Sequence, residues 1–304
     1  MPVRDGERFL GKALESILEQ TLDDFELIVV DDGSTDATGE ILRSYADARL
    51  RVVDQPRLGL VAALNRGFGA ARGRFLARMD ADDISLPTRL ERQLELLERT
   101  HGAGLAATWY EVIDEEGRVL ETVVLPLAHD DLVRRLLLRN PFKHGSIMLR
   151  SEILASVGGY RDAYGANEDY DLWRRIAGRS RLLVVPEVLY RYREHGTGHS
   201  KMTELDRSAQ RERLRDELWS AARARDYHVV EIVRTAHGYA RDDPLLLRDY
   251  VDDQWAIARE ALVRGRLSLG TKALATAAVA EPSRLRKLRR VVRRLARGRP
   301  GRRR

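Results

Sequence analysis

The sequence predicts an α/β protein, a mixed but mostly parallel sheet flanked by helices with a helical appendage toward the C-terminus, and three observations predict it. In the N-terminal third, short apolar runs alternate with longer stretches of helical periodicity, the order that builds βαβ units. The two clearest runs, Phe25-Glu-Leu-Ile-Val-Val30 and Arg74-Phe-Leu-Ala-Arg-Met79, each stop in a cluster of acids, and strand ends are where open α/β sheets place their ligand chemistry. With 304 residues, 43% of them hydrophobic, the chain has room for one large domain and an appendage.

In chain order, helices are expected near residues 7–20, 36–46, 58–72 and 86–99, with strands near 26–31, 50–53 and 74–79 between them. The 26–31 run is apolar and β-branched, as a buried strand should be. One acid of Asp31-Asp32-Gly33-Ser34-Thr35-Asp36 caps the next helix, with Asp36 the first candidate. Leu86-Pro87 marks the start of the helix that runs to 99. Residues 104–124 read as strands around a Glu115-Glu116-Gly117 turn, and 146–200 as short strands with one helix near 168–178. Trp109 and Trp173 belong to the core. From about 203 the chain turns to Arg-, Glu- and Ala-rich helical patterns without a further motif. That region suits a lid, a dimer surface or an acceptor-binding appendage equally. The expected divisions are a catalytic domain at 1–200, a helical appendage at 201–283 and a basic tail at 284–304.

The stretch Met79-Asp-Ala-Asp-Asp-Ile-Ser-Leu-Pro-Thr-Arg-Leu90 carries the most chemistry. Asp80 and Asp82 are two apart, so on an extended backbone they point the same way. Adjacent carboxylates repel each other unless a cation sits between them. Oxygen ligands of this kind suit Mg²⁺ or Mn²⁺, which in turn hold diphosphates. An acidic turn capping the helix near Leu86-Pro87 accounts for the same residues. The second acidic cluster, after Val30, again lies between a strand and a helix, and a cap needs only one side chain.

With that repetition the sequence resembles the family 2 glycosyltransferases, inverting enzymes of the GT-A fold. The resemblance runs in order over roughly residues 1–200. It is carried by Met1-Pro2-Val3 with Gly6-Glu-Arg-Phe-Leu10, by Ser16 to Ser34, and by Gly59-Leu-Val-Ala-Ala-Leu-Asn65 with Ala71-Arg-Gly73. It continues in Asp80-Ala-Asp-Asp83, Asn167-Glu-Asp-Tyr-Asp-Leu-Trp173 and Arg191-Tyr-Arg-Glu-His195. The resemblance implies a nucleotide-sugar donor, a glycan or lipid-linked acceptor, and Mn²⁺ or Mg²⁺ as cofactor. Pro2, Val3, Arg4, Asp32, Asn65, Asp80 and Arg193 are then expected at the nucleotide sugar. Asp82 is the firmer metal ligand, with Asp80 and His195 beside it. Asp169 resembles the general base that deprotonates the acceptor hydroxyl, and a shift of one residue would give that role to Glu168. His144 lies where the family places its acceptor-side loop. Each set has a plainer reading: Glu168, Asp169 and Asp171 as acids facing a helix macrodipole, and Arg191, Arg193 and His195 as cations on a strand edge.

The chain departs from the family at its start. A full apolar strand normally precedes Pro-Val; here Met1 comes directly before Pro2, so that strand is expected to be absent or nearly so. The family's aromatic at the next position is Arg4, whose guanidinium plane can still stack on a base. An inactive truncated relative is therefore one alternative. A nucleotidyltransferase is another, but the Gly-rich, basic loop such enzymes use for a triphosphate is replaced by Pro2-Val-Arg-Asp-Gly-Glu7.

The chain has no cysteine, which excludes disulfides, thiolate nucleophiles and cysteine metal sites. No apolar run approaches the length of a membrane span and no cleavable signal is evident, so a cytoplasmic protein is expected. Residues 284–304 hold twelve Arg or Lys and no acid. The whole chain is only +6, so the rest is net acidic and the basic balance belongs to the tail. Leu285, Leu288, Val291, Val292 and Leu295 fall at helical spacing among those arginines, as in a basic amphipathic helix that lies on an anionic membrane, here its inner face. The tail has no aromatic for stacking on bases, so nucleic acid is not the expected partner.

Overall fold

A computed structural model of the chain describes residues 1–138, 140–162 and 167–195. The expected appendage at 201–283 and the basic tail at 284–304 lie outside the described residues. Among the described residues, no helix is long and apolar enough to cross a membrane.

The fold is mixed α/β. Strand β2 (Leu27–Asp31) is buried along its whole length, as its apolar sequence requires. It pairs in parallel with β1 (Pro2–Val3) on one side and β3 (Leu50–Asp54) on the other, with Pro2 opposite Val30 and Leu27 opposite Leu50. Between them run α1 (Leu10–Leu18) and α2 (Thr38–Ser44). Helix α1 buries Leu10, Ala13, Leu14 and Ile17, one face of a 3.6-residue repeat. Helix α2 begins one residue later than an Asp36 N-cap would have it, although the Asp36 carboxylate still accepts the Thr38 N–H at 3.0 Å. Helix α3 (Leu60–Ala70) follows Gly59, whose φ of 92° is a conformation that glycine adopts without strain.

The second sheet holds β4 (Phe75–Ala77), β5 (Ile84–Ser85), β6 (Ala103–Ile113), β7 (Val119–Val123), β8 (Met148–Arg150) and β9 (Arg181–Arg193). Their order is β4-β8-β6-β9-β5, with β7 paired to β6. Here only β6 and β9 run parallel, and the other pairs are antiparallel. Parallel pairing is thus concentrated in the first sheet. Helix α4 (Arg89–Arg99) packs against this sheet, as do α5 (His129–Leu138) and α6 (Ser151–Val157), and α7 (Glu168–Ala177) packs on α5 and α6. Trp173 is fully buried as expected, whereas Trp109 is half-buried and donates its indole N–H to the Leu125 carbonyl at 3.0 Å.

Three buried polar side chains lock these layers where the acidic turn will sit. The Gln20 amide donates to the Leu86 carbonyl at 2.8 Å and accepts the Leu90 N–H at 3.0 Å. Arg89 donates to the carbonyls of Arg78 and Gly145. Gln93 donates to the carbonyls of Ala106 and Ser146, at 2.6 and 2.9 Å. Such bonds hold backbone groups that would otherwise be buried without partners.

The two sheets do not join. With β1 only two residues long, a cavity of about 500 Å³ remains between β2 and β4, lined by Met1, Leu27, Ile28, Leu76, Ala77 and Met148 among others. The Met1 amine lies at its rim and donates to the Ile28 carbonyl at 2.8 Å, and the Met1 carbonyl accepts the Val30 N–H at 2.9 Å. Burial, reinforced by the nearby Arg78 charge, lowers the pKa of this amine to about 5. A basic group with a depressed folded pKa costs stability in full below about pH 5, and that cost falls away as pH rises from about 5 to 8.

An engineered extension of about four apolar residues before Met1, continuing the Pro2–Val30 register, should fill this gap and remove the buried amine. The expected outcome is a higher melting temperature and a smaller gain in stability, relative to the unextended chain, as pH rises from about 5 to 8. Equal melting curves for the two proteins would show that the gap does not accept a strand.

Candidate active site

The polar side chains collect where β4 and β5 leave the sheet. Met79 is buried, and Asp80, Ala81, Asp82 and Asp83 form a turn that ends at β5. The three carboxylates each bring an oxygen within 4.8 Å of the others. It is the turn that gathers them, not the extended backbone the sequence suggested. Nor do they cap α4: the Leu90 N–H at its start is taken by Gln20.

The three acids are not equivalent. Asp83 is 1% exposed and accepts the Tyr190 hydroxyl at 2.6 Å and the Arg193 N–H at 2.8 Å. Burial, with the charges of Asp80 and Asp82, pushes its pKa well above the usual carboxylate range. Asp82 is partly exposed and lies 2.9 Å from Nε2 of His195. Its pKa is raised by burial and by Asp80, against the pull of His195. Asp80 accepts from the guanidinium of Arg78. Asp83 therefore anchors the turn, while Asp80 and Asp82 present their oxygens at its surface. Hard oxygen donors at this spacing fit Mg²⁺ or Mn²⁺, with His195 beside them.

Arg193, expected at the nucleotide sugar, is held by backbone carbonyls of the acidic turn and the β6–β7 turn. It is 2% exposed; its Nε donates to the Asp82 carbonyl at 2.9 Å, and Nη1 donates to the carbonyls of Asp114 and Glu115 at 3.0 and 2.9 Å. Its guanidinium also covers the Phe9 ring at 4.7 Å. Those bonds, made through Nε and Nη1, staple the acidic turn to the β6–β7 turn. Arg191 is paired with Glu111 at 2.8 Å, and it is not an edge cation, because β9 there lies between β6 and β5.

The wall formed by the first sheet carries Pro2, Val3, Arg4 and Asp32. Asp32 is buried at the end of β2, where its oxygens accept the Gln55 amide and Leu58 N–H, both at 2.7 Å, and the Gly59 N–H at 2.9 Å. It thereby holds the loop into α3. Arg4 is half-exposed, with Nε 3.5 Å from Asp5. Asp5 has a φ of 49° and accepts the Thr35 N–H at 2.8 Å, so this loop and the 33–38 loop brace each other. Asn65 is set apart from this wall: its amide both donates to and accepts from the Tyr160 backbone, at 3.0 and 2.9 Å. It positions Tyr160 with one N–H and its carbonyl oxygen, and its second amide N–H takes no part in these bonds.

Tyr160 belongs to the third part of the site, at the start of α7. The His144 ring, in the short 3-10 helix His144–Ser146, meets the Tyr160 hydroxyl at 2.6 Å and lies 3.7 Å from the Glu168 carboxylate. Burial lowers the His144 pKa well below its usual value, so this imidazole is neutral at pH 7. Glu168 is buried, and its Oε2 has no hydrogen-bond partner among the described residues. Burial and the adjacent Asp169 charge raise its pKa to about 7. Asp169 is less enclosed: Oδ2 accepts from Asn140 at 2.7 Å and Oδ1 accepts the Tyr170 N–H at 2.6 Å. Its pKa is also raised, by burial, against the pull of those bonds and of Arg78 and Lys143. Arg78, Asn140, Tyr160 and Tyr190 were not singled out from sequence. A buried arginine two residues before an acid pair was the one available signal.

A family model described as glycosyl transferase family 2 matches residues 1–158. An uncharacterized glycosyltransferase of Haemophilus influenzae is 30% identical over 210 residues, covering 65% of each chain. The alignment thus spans just under two thirds of that relative. EpsE of Bacillus subtilis is 35% identical over 201 residues, covering 64% of this chain and 71% of its own. The structure of Staphylococcus aureus TarS 1-349 in complex with UDP-GlcNAc superposes with a TM-score of 0.64 at 18% identity, covering 94% of this chain and 90% of that one. That likeness is one of fold, and it is the GT-A fold.

The anchoring role of Asp83 is open to measurement. Tyr190→Phe keeps the ring in the core but withdraws the hydroxyl donor from a buried carboxylate, at an expected cost of about 1–3 kcal/mol. Denaturant unfolding should show the midpoint lowered accordingly. An unchanged midpoint would mean that the hydroxyl contributes nothing to holding the turn.

Proposed function

The chain belongs to glycosyl transferase family 2, and we propose that it moves a sugar from a nucleoside-diphosphate sugar to a hydroxyl of a glycan or lipid-linked acceptor, inverting the anomeric carbon. The observation that carries this reading is the facing of two acidic sets across one buried cation. Arg78 bonds Asp80 and also acts electrostatically on Glu168 and Asp169. One set suits the leaving diphosphate and the other suits the incoming hydroxyl.

In this reading Asp80 and Asp82, with His195 beside Asp82, hold Mn²⁺ or Mg²⁺. The metal, when bound, neutralises the charge that grows on the departing diphosphate. Pro2, Val3, Arg4 and the β2 end at Asp32 form the nucleotide wall. Asp169 takes the proton of the acceptor hydroxyl as its oxygen attacks the anomeric carbon from the face opposite the diphosphate. The new glycosidic bond forms as the bond to the diphosphate oxygen breaks, so the configuration inverts. Two features favour Asp169 over Glu168 as the base. Donors from Asn140 and Tyr170 reach both Asp169 oxygens and favour the ionised form. Glu168, with an unpartnered buried oxygen and a pKa near 7, favours the protonated form. Arg193 and Asn65 act by position: one fixes the acidic turn, the other fixes Tyr160 against His144.

A nucleoside diphosphate should raise the melting temperature only with Mn²⁺ or Mg²⁺ present, and Asp82→Ala should abolish the rise. A shift that survives EDTA would sink the metal assignment. Asp169→Asn should keep that shift and lose about 10²–10⁴-fold in turnover. Glu168→Gln should stay active. An acid whose folded pKa is raised from 4.5 to about 7 costs stability as pH climbs through that interval. The Gln variant should therefore be the more stable protein above neutral pH. A dead Glu168→Gln beside an active Asp169→Asn would exchange the two roles.

A further inference from the structure

We propose that Lys143 grips the leaving diphosphate, its ammonium meeting a β-phosphate oxygen next to the Asp80–Asp82 pair. The proposal rests on the glycosyl-transfer reading above and adds to it a residue that the motifs do not name. Lys143 lies in the loop that leads from α5 into the His144–Ser146 turn. Its Nζ stands 3.1 Å over the centroid of the Tyr192 ring on β9. Burial lowers the Lys143 pKa, and the carboxylates that oppose this and favour the ammonium come from three places: Asp83 and Asp80 of the acidic turn, Asp169 of α7, and Glu194 just past β9. Its ring partner Tyr192 precedes Arg193, whose N–H holds Asp83, and Lys143 itself precedes His144, which lies 3.7 Å from Glu168.

What separates Lys143 from the other cations here is how its donors are used. Arg78 is bonded to Asp80, and Arg89 to two backbone carbonyls. Arg193 is bonded to three carbonyls, and His195 to Asp82. For Lys143, the described residues supply the face of one aromatic ring and no hydrogen-bond acceptor for the ammonium. A counter-ion that only balanced the acidic turn would close onto one of its carboxylates. An ammonium held by an aromatic face, in the field of carboxylates that do not touch it, keeps its N–H groups for an arriving oxyanion. Lysine suits that task as a compact point charge with rotatable donors. The aromatic face adds attraction for the cation without consuming a donor.

The test is calorimetric titration of wild type, Lys143→Met and Lys143→Arg with UDP and GDP and with UMP and GMP, all in Mn²⁺. Lys143→Met should weaken the diphosphates by about ten- to a hundredfold and the monophosphates by less than about twofold. Lys143→Arg should recover part of the loss. Unliganded melting curves report folding, and Lys143→Gln, which keeps a donor without the charge, repeats the titration if the Met variant misfolds. Unchanged diphosphate affinity in Lys143→Met overturns the proposal, as do equal losses for mono- and diphosphates. A wild-type protein that binds neither diphosphate overturns the nucleotide-sugar reading itself, and the proposal with it.

Discussion

The carboxylate of Asp83 accepts the Tyr190 hydroxyl at 2.6 Å and the Arg193 N–H at 2.8 Å, and the geometry of the site hangs on that pair of bonds. A carboxylate taken out of water costs several kcal/mol before compensation. Two donors offset part of that cost, and the raised pKa of Asp83 registers the remainder. In return, the turn between β4 and β5 is fastened to β9, an element nearly the length of the sheet. Arg193 carries the connection onward to the carbonyls of Asp82, Asp114 and Glu115. The packing tolerates little change there: a Cβ on Gly145 would fall 1.8 Å from the Tyr190 hydroxyl. Only glycine lets that hydroxyl reach Asp83.

This anchorage gives the three neighbouring acids different work. With Asp83 committed inward, Asp80 and Asp82 are displayed on a turn that is fixed at both ends. Site residues held by their own supporting contacts can be placed closely enough for in-line chemistry, which tolerates little misplacement. The same division appears at α7. Glu168 is drawn inward beside His144, while Asp169, one residue on, keeps donors on both oxygens. In each case adjacent acids in the sequence separate into a buried member and a presented one.

That separation is what the sequence could not express. The apolar run of β2, the helix from Arg89, the β6–β7 hairpin and the acids after β2 and β4 were all legible, because periodicity and strand-end clustering are local signals. Which acid faces inward depends on Tyr190 and Arg193, more than a hundred residues away along the chain. An arginine in a basic segment reads the same whether its donors meet a phosphate or a backbone carbonyl, so Arg193 was expected at the diphosphate. Asn65 is a similar case: the sequence does not show that its amide bonds the Tyr160 backbone. A single lysine in a loop offers no pattern at all, and Lys143 gains meaning only from what stands around it. The division of the sheet was half legible: the shortness of β1 was plain, but the cavity it leaves is a matter of packing.

The electrostatics of the site follow from the same arrangement. Asp80 raises the proton affinity of both Asp82 and Asp83, and Asp82 raises that of Asp83 as well. Like charges held together at the edge of a low-dielectric interior leave no other route. Arg78 and Lys143 temper this repulsion, but neither can take its place: Arg78 is bound to one oxygen of Asp80, and Lys143 stands off over Tyr192. The turn therefore carries more negative charge than the described side chains around it balance. Metal binding to such carboxylates is coupled to proton release, and a cation that satisfies them becomes the attachment point for a diphosphate. The excess charge that is a liability for the isolated fold is, in the proposed reaction, what assembles the metal and the donor nucleotide at one place opposite Asp169.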